Sequence, residues 1–281
     1  MHDAIKVVRK QLKETVTSVD SQLCQSLLKF METFFAPYVI SDANVIPPFR
    51  LKALAQMIEP WFFFALVWSV GATCDDAGRA LFDEWLRQAM RDNNALMPFP
   101  DSDLVYDFVL SDDGAISSTE MEEKAEDEDT VVGPLAWLSW VSQLEEFHVD
   151  PNQEYSSIMV PTGDTLRYSY VLGRLVQSSF PVMVVGPTGT AKTLTVTDKL
   201  QTKMKSKFAP HFITFSARTS ANQTQDILDS KMDKRRRGIF GPPLGQVYVM
   251  FVDDLNMPAK EEYGAQPPIE LLRQFMDHDG W

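Results

Sequence analysis

Cysteine and histidine are scarce in this chain, with two cysteines and four histidines among 281 residues. Cys24 and Cys74 have no C-x-x-C spacing, and His2, His148, His211 and His278 share no ligand spacing, so neither a disulfide framework nor a zinc site is indicated. A reducing compartment fits this usage. Positive charge is also short: 26 basic against 39 acidic side chains give a net charge of −13. A general nucleic-acid binder needs a basic footprint to displace counterions, so no nucleic-acid partner is expected. The most apolar stretch, "WFFFALVWSVGA" from Trp61 to Ala72, falls short of the roughly 20 residues that a spanning helix requires. It reads as a buried core helix, and no membrane partner is expected. The opening "MHDAIKVVRKQLKETV" has no signal-peptide apolar core and reads as a surface helix.

Acidic residues, by contrast, are concentrated. Ser111 to Thr130 holds nine carboxylates and one lysine, Lys124, a local charge of −8 that leaves about −5 for the rest of the chain. Such a run cannot bury enough apolar surface to offset its ordering entropy and reads as a mobile loop; a metal or basic-partner site is the sharper alternative. Upstream, Ile5, Val8, Leu12, Val16, Val19, Leu23, Leu27 and Phe30 recur at threes and fours, an amphipathic helical stripe ended by Pro37. A second helix is predicted over Leu51 to Val70, kinked at Pro60 and stopped by Gly71. A third follows, capped by Asp75 or Asp76, with Leu81, Phe82, Trp85, Leu86 and Met90 on its buried face. Residues 1–95 thus read as a small all-α unit.

The asparagine pair and two prolines of "RDNNALMPFPDSD" interrupt the helical period. Beyond them, "LVYDFVL" (Leu104 to Leu110) and "PLAWLSWV" (Pro134 to Val141) read as short strands flanking the acidic run, in a linker over residues 96–150. The segment from 151 to 281 begins with a helix, Gly163 to Ser179. It then alternates β-rich runs, "PVMVV" (Pro181 to Val185), "HFITFS" (His211 to Ser216) and "QVYVMFV" (Gln246 to Val252), with helical segments. That alternation predicts an α/β parallel sheet covered by helices.

The chemistry sits at two of the β-rich runs. "GPTGTAKT", comprising Gly186, Pro187, Thr188, Gly189, Thr190, Ala191, Lys192 and Thr193, follows the first and opens a helix. This is the setting of a phosphate-binding loop: backbone N–H groups cradle phosphates at a helix N-terminus, Lys192 reaches the β- and γ-phosphates, and the Thr193 hydroxyl meets Mg2+. Ala191 departs from the glycine of the usual pattern G-x-x-x-x-G-K-[ST], and alone the loop could be a chance match in a Thr- and Gly-rich turn. Some sixty residues on, the apolar run ends in Asp253 and Asp254. In P-loop ATPases the first such carboxylate orients the Mg2+ shell and the second polarises the attacking water. A strand-end turn explains the aspartates equally well in isolation; the two motifs together point to a nucleotide site. If Ala191 needs positive φ, its Cβ costs about 1–2 kcal/mol. Asp254 stands where most of that class carries glutamate, so slow hydrolysis is expected. The basic cluster "KMDKRRRG" (Lys231 to Gly238) reads as a solvated loop.

The long motifs "SARTSANQTQ", "FVDDLNMP" and "YGAQPPIELLRQ" within Phe212 to Trp281 resemble the third AAA+ module of an axonemal dynein heavy chain. "VPTGDTLRYSYVLGRLV" (Val160 to Val176) is similar to the lead-in to that module's loop, and "IEPWFFFALVWSVGATCDDAGRALFDEWLR" (Ile58 to Arg87) to the helical lid joining the second module to the third. The resemblance runs from Tyr155 onward and over residues 27–92. It implies a P-loop (AAA+) large subdomain over 151–281, truncated after the Asp253–Asp254 strand and preceded by the lid. It further implies ATP or ADP with Mg2+ as cofactors, Thr193 and Asp253 as the metal-facing residues and Asp254 as the catalytic carboxylate. A sensor residue is expected beyond Trp281 and an arginine finger from a neighbouring module, so the isolated piece is expected to bind ATP without being catalytically complete.

For the parent protein the resemblance implies a minus-end-directed microtubule motor in the cytoskeleton of cilia or flagella, in which this module regulates the principal hydrolytic site. Its partners would be the neighbouring AAA+ modules, with intermediate and light chains and microtubules engaged through other parts. The competing expectation is a structural spacer of the motor ring that binds no nucleotide.

Overall fold

The apolar stripe of the first 35 residues folds as two helices rather than one. Helix α1 spans His2–Gln11 and α2 spans Asp20–Phe35. Between them lies "TVTSV" (Thr15 to Val19), whose branched side chains disfavour helix through restricted χ1 rotamers. The chain there forms an isolated antiparallel bridge from Glu14 to Cys74, with the Thr15 amide donating to the Thr73 carbonyl at 2.9 Å. Val16 and Val19, expected on the buried stripe, are consequently exposed. Arg9 ties the turn together by donating to Glu14 Oε2 at 2.5 Å and Asp20 Oδ1 at 2.9 Å.

The protein is described here by a computed structural model covering residues 1–38, 48–111, 135–144, 147, 160–204, 208–236, 239–243 and 245–278. The acidic residues Asp112 to Asp129, and with them the expected acidic loop, lie outside the described residues. The chain divides into two units, Met1–Pro187 and Thr188–Trp281.

The first unit is built around helix α3, Pro48–Ser69, which is longer than the apolar run that marked it and continues through Pro60. The apolar run Trp61 to Ala72 lies within a longer stretch, Leu54–Thr73, that by length and composition alone could cross a membrane. In this fold Trp61, Phe64, Ala65, Leu66, Val67 and Val70 are buried in the helical core instead. Trp61 stacks on Phe34 with ring centroids 5.2 Å apart, and Phe64 meets Phe30 and Phe34 at 5.9 Å. Gly71 follows α3 because nothing larger fits: a Cβ there would lie 2.6 Å from both the Phe82 ring and the Tyr106 hydroxyl, which donates to the Gly71 carbonyl at 2.8 Å.

Helix α4, Asp76–Asp92, is capped by the Asp75 carboxylate accepting from the Gly78 amide at 2.9 Å. Phe82, Leu86 and Met90 are buried as the period predicts, but Leu81 is exposed and Asp83 takes an inward place. Burial of that carboxylate is offset by its partners, since it accepts from Arg87 Nε at 3.0 Å and the Val105 amide at 2.7 Å. Arg87 in turn donates to the carbonyls of Phe99, Pro100 and Asp103, fastening the segment after α4 to the helix. Strands β1 (Phe108–Leu110) and β2 (Trp137–Ser139) pair antiparallel, Val109 opposite Leu138. Helix α5, Gly163–Gln177, opens on Thr162, whose hydroxyl accepts from the Thr165 amide at 3.2 Å. Leu166, Tyr170, Val171 and Leu175 pack against the helical core, and the Arg174 guanidinium lies 4.3 Å from the Phe34 ring centre. The helix that the sequence places ahead of the loop therefore packs on the helical unit.

In the second unit α6 (Lys192–Asp198) runs into one π turn, Lys199–Lys203. Strand β3 (Phe208–Thr214) pairs parallel with β6 (Val247–Asp253), Phe208 opposite Val247 through Thr214 opposite Asp253. Helices α7 (Ala221–Lys231) and α8 (Pro267–His278) belong with this sheet, where Leu228 and Leu272 pack on Ile213, Phe215, Met250 and Val252. Two expectations are corrected here. Pro181 to Val185 forms no strand, although its composition is β-rich. A strand exists only through a neighbour's hydrogen bonds, and this run has no ladder partner among the described residues, with Val182 to Val185 36% to 66% exposed. Of the basic cluster, Lys231 ends α7 and Asp233–Arg236 form no loop but a strand, β4, paired antiparallel with β5 (Ile239–Gly241), while Arg237 and Gly238 lie outside the described residues.

Candidate functional site

Thr188 to Thr193 carries the geometry of the site. Gly186 and Pro187 close the first unit, and Thr188 opens the second. Gly189 sits at φ +83°, a conformation that L side chains rarely adopt, with nothing within 4 Å of where a Cβ would stand. Ala191 occupies the left-handed region, φ 55° and ψ 22°, immediately before α6. The sequence raised that conformation as a condition; the structure meets it, and the Cβ pays about 1–2 kcal/mol for being there. From this position the Ala191 carbonyl accepts from both the amide and the hydroxyl of Thr195, each at 2.9 Å, which starts the helix and leaves the preceding N–H groups at its end. Lys192 Nζ donates to Thr190 Oγ1 at 3.3 Å, folded back along the loop.

The loop and the carboxylate strand meet. Thr193 Oγ1 donates to Asp253 Oδ2 at 2.9 Å across sixty residues of sequence. The sheet holds Asp253 in place: its backbone pairs with Thr214, its carbonyl accepts from the Phe215 amide at 3.0 Å, and its Oδ1 accepts from the Asp254 amide at 3.0 Å. Asp254 is exposed and itself left-handed, φ 53°, so the chain turns sharply as it leaves β6. The Thr193 hydroxyl and the Asp253 carboxylate are hard oxygen donors side by side, a set that suits Mg2+.

Gln266 escaped the reading of the sequence. Its side-chain amide donates to the Asn256 carbonyl at 3.3 Å and to the Pro258 carbonyl at 2.7 Å, while its own carbonyl receives the Ile269 and Glu270 amides at the start of α8. With the Met257 amide donating to the Asp254 carbonyl at 2.9 Å, this fixes the turn that follows the two aspartates. The available signal was a glutamine directly before Pro267 and Pro268, a position that precedes the first helical turn.

The chain matches two families along its length. Residues 1–116 match the family described as dynein heavy chain AAA lid domain, and residues 147–281 the family described as P-loop containing dynein motor region. Over its whole length the chain is 51% identical to dynein axonemal heavy chain 1 of Mus musculus and 48% identical to that of Homo sapiens. It is 39% identical to dynein axonemal heavy chain 12 of Mus musculus over 91% of its residues. It spans only 6% to 8% of the length of these relatives. A helical unit matching the lid, followed by a loop and carboxylate strand matching the motor region, places this chain in the dynein heavy-chain family, as an AAA lid sequence followed by a truncated P-loop AAA+ fold.

Proposed function

We propose that this chain binds ATP or ADP with Mg2+ and serves as a regulatory AAA+ segment, the third module and its preceding lid, in an axonemal dynein heavy chain. The observation that carries this reading is the 2.9 Å hydrogen bond from Thr193 to Asp253, which joins two motifs that sequence alone only juxtaposes. Thr188 to Thr193, following the Gly186–Pro187 turn, hold the phosphates through backbone N–H groups, with Lys192 as the cation; Thr193 and Asp253 face the metal; Asp254 orients water. Bound Mg2+ would neutralise charge on the β- and γ-phosphate oxygens. The domain division inferred is lid 1–95, linker 96–150 and P-loop subdomain 151–281. The longer relatives support a role in a minus-end-directed microtubule motor of the ciliary or flagellar axoneme. Neighbouring AAA+ modules are direct partners, and intermediate chains, light chains and microtubules are reached through other parts of the heavy chain.

Titration of the chain with a fluorescent ATP analogue, with and without Mg2+, tests the proposal. Saturable, Mg2+-dependent binding that is lost in Lys192→Ala is expected. A folded chain that binds no nucleotide at millimolar concentration would instead be a structural spacer.

A further inference from the structure

The ribbon β4–β5 is exposed along both strands: Asp233, Lys234, Arg235, Arg236, Ile239 and Phe240 all lie open to solvent, the last two at 39% and 54%. Among the described residues it pairs with no third strand. A two-stranded ribbon on its own is marginally stable in water. Its register contains a bulge, with Lys234 opposite Phe240 and Arg236 opposite Ile239. The register thus sets each cation across from one large apolar side chain. Arg235 is engaged locally, donating to the Pro242 carbonyl. Lys234, Arg236 and the neighbouring Lys231 form no ion pair among the described residues, in a chain whose net charge is −13. Among the described residues, three cations without an ion pair stand near two exposed apolar side chains, a surface complementary to carboxylate and apolar groups.

We infer that this ribbon is a docking surface for an acidic polypeptide segment that alternates carboxylate and apolar side chains. Such a segment pairs a carboxylate with Lys234 or Arg236 and an apolar group with Phe240 or Ile239, and covers the ribbon that now lacks a neighbour. Single-stranded nucleic acid fits less well. It would use a continuous basic groove with stacking aromatics, whereas this surface offers separated cations, one of them beside an aliphatic side chain, on a strongly acidic protein.

The test uses the full chain and a short fluorescent peptide of alternating glutamate and leucine, read by anisotropy, beside a glutamate–serine peptide and a single-stranded oligonucleotide. Saturable binding of the glutamate–leucine peptide is expected, weakening as salt rises. It should fall by about tenfold or more in Lys234→Glu combined with Arg236→Glu, and likewise in Phe240→Ser, while Lys234→Arg retains it. The glutamate–serine peptide should bind more weakly, since it lacks the apolar half of the contact. If charge reversal unfolds the ribbon by circular dichroism, the neutral pair Lys234→Gln with Arg236→Gln gives the same reading. No binding to the wild-type chain, binding unchanged in these variants, or tighter binding of the oligonucleotide would each overturn the inference.

Discussion

In the helical unit, Trp61, Phe64, Phe30, Phe34, Phe82 and Tyr106 are all but removed from solvent and packed ring against ring, with α1 to α5 contributing to one core. In the strand unit, among the described residues, Ile213, Phe215 and Leu228 form a small buried cluster on the parallel sheet, Val196, Leu200, Met204 and Phe208 are buried beside them in sequence, and β6 is half-buried for most of its length. Yet the site chemistry lies in the second unit, where it depends on a left-handed alanine, one threonine–aspartate hydrogen bond and a glutamine that pins a turn. Packing volume holds the first unit and local backbone geometry holds the site. Substitutions in the helical core should therefore appear in stability, and those around the loop in ligand affinity.

Trp61→Ala should give the largest effect, because it empties a fully buried site stacked on Phe34 and edged by Phe35 and Tyr38. A loss of about 3–5 kcal/mol is expected by chemical denaturation. A loss below about 1 kcal/mol would break the comparison by showing that the core is not where the stability resides. Gly71→Ala comes next: a Cβ at 2.6 Å from Phe82 and Tyr106 must displace both, costing about 1–3 kcal/mol as overpacking.

Ala191→Gly sharpens the contrast from the other side. Relief of the left-handed strain should tighten nucleotide binding by up to about tenfold, equivalent to about 1.4 kcal/mol, with little change in the helical unit. Unchanged affinity would mean that the loop accepts alanine at no cost.

The smallest effect concerns His211, which sits edge-on to Tyr248, its Nε2 buried and without a hydrogen-bond partner among the described residues. Burial, with Lys231 nearby adding to it, holds the imidazole below its ordinary pKa. The unfolded chain then binds the proton more readily, so this residue's contribution to stability falls as pH drops through about 6.5 and levels off below the folded value. His211→Phe should flatten that part of a stability-against-pH curve; an identical slope in the variant would refute the assignment.

Much of this was legible where one element's own pattern decides the outcome. The buried face of α4 at Phe82, Leu86 and Met90, the Asp75 cap and the loop preceding α6 all depend on neighbours three or four residues away. What was not legible depended on partners distant in sequence. Leu81 and Asp83 exchanged roles because Arg87 and the Val105 amide satisfy the aspartate. Val16 and Val19 left the stripe because the chain turns to bridge Cys74. Pro181 to Val185 has the composition of a strand but no ladder, and the charged run that looked like a loop found a partner in Ile239–Gly241. Of the candidate site residues, Thr193 and Asp253 were named from motif spacing, whereas Gln266 acts through the carbonyls of Asn256 and Pro258, and its one sequence signal was its place before Pro267 and Pro268.

The account turns on Thr193 and Asp253 acting as one metal-facing unit. ATP affinity should be measured with Mg2+ and with chelator for the wild-type chain, Thr193→Val, Asp253→Asn and the double variant. The account predicts that Mg2+ strengthens binding to the wild type, that either single change removes most of this gain, and that the double variant loses no more than the worse single one. Additive losses, or a Mg2+ gain that survives both changes, would contradict it.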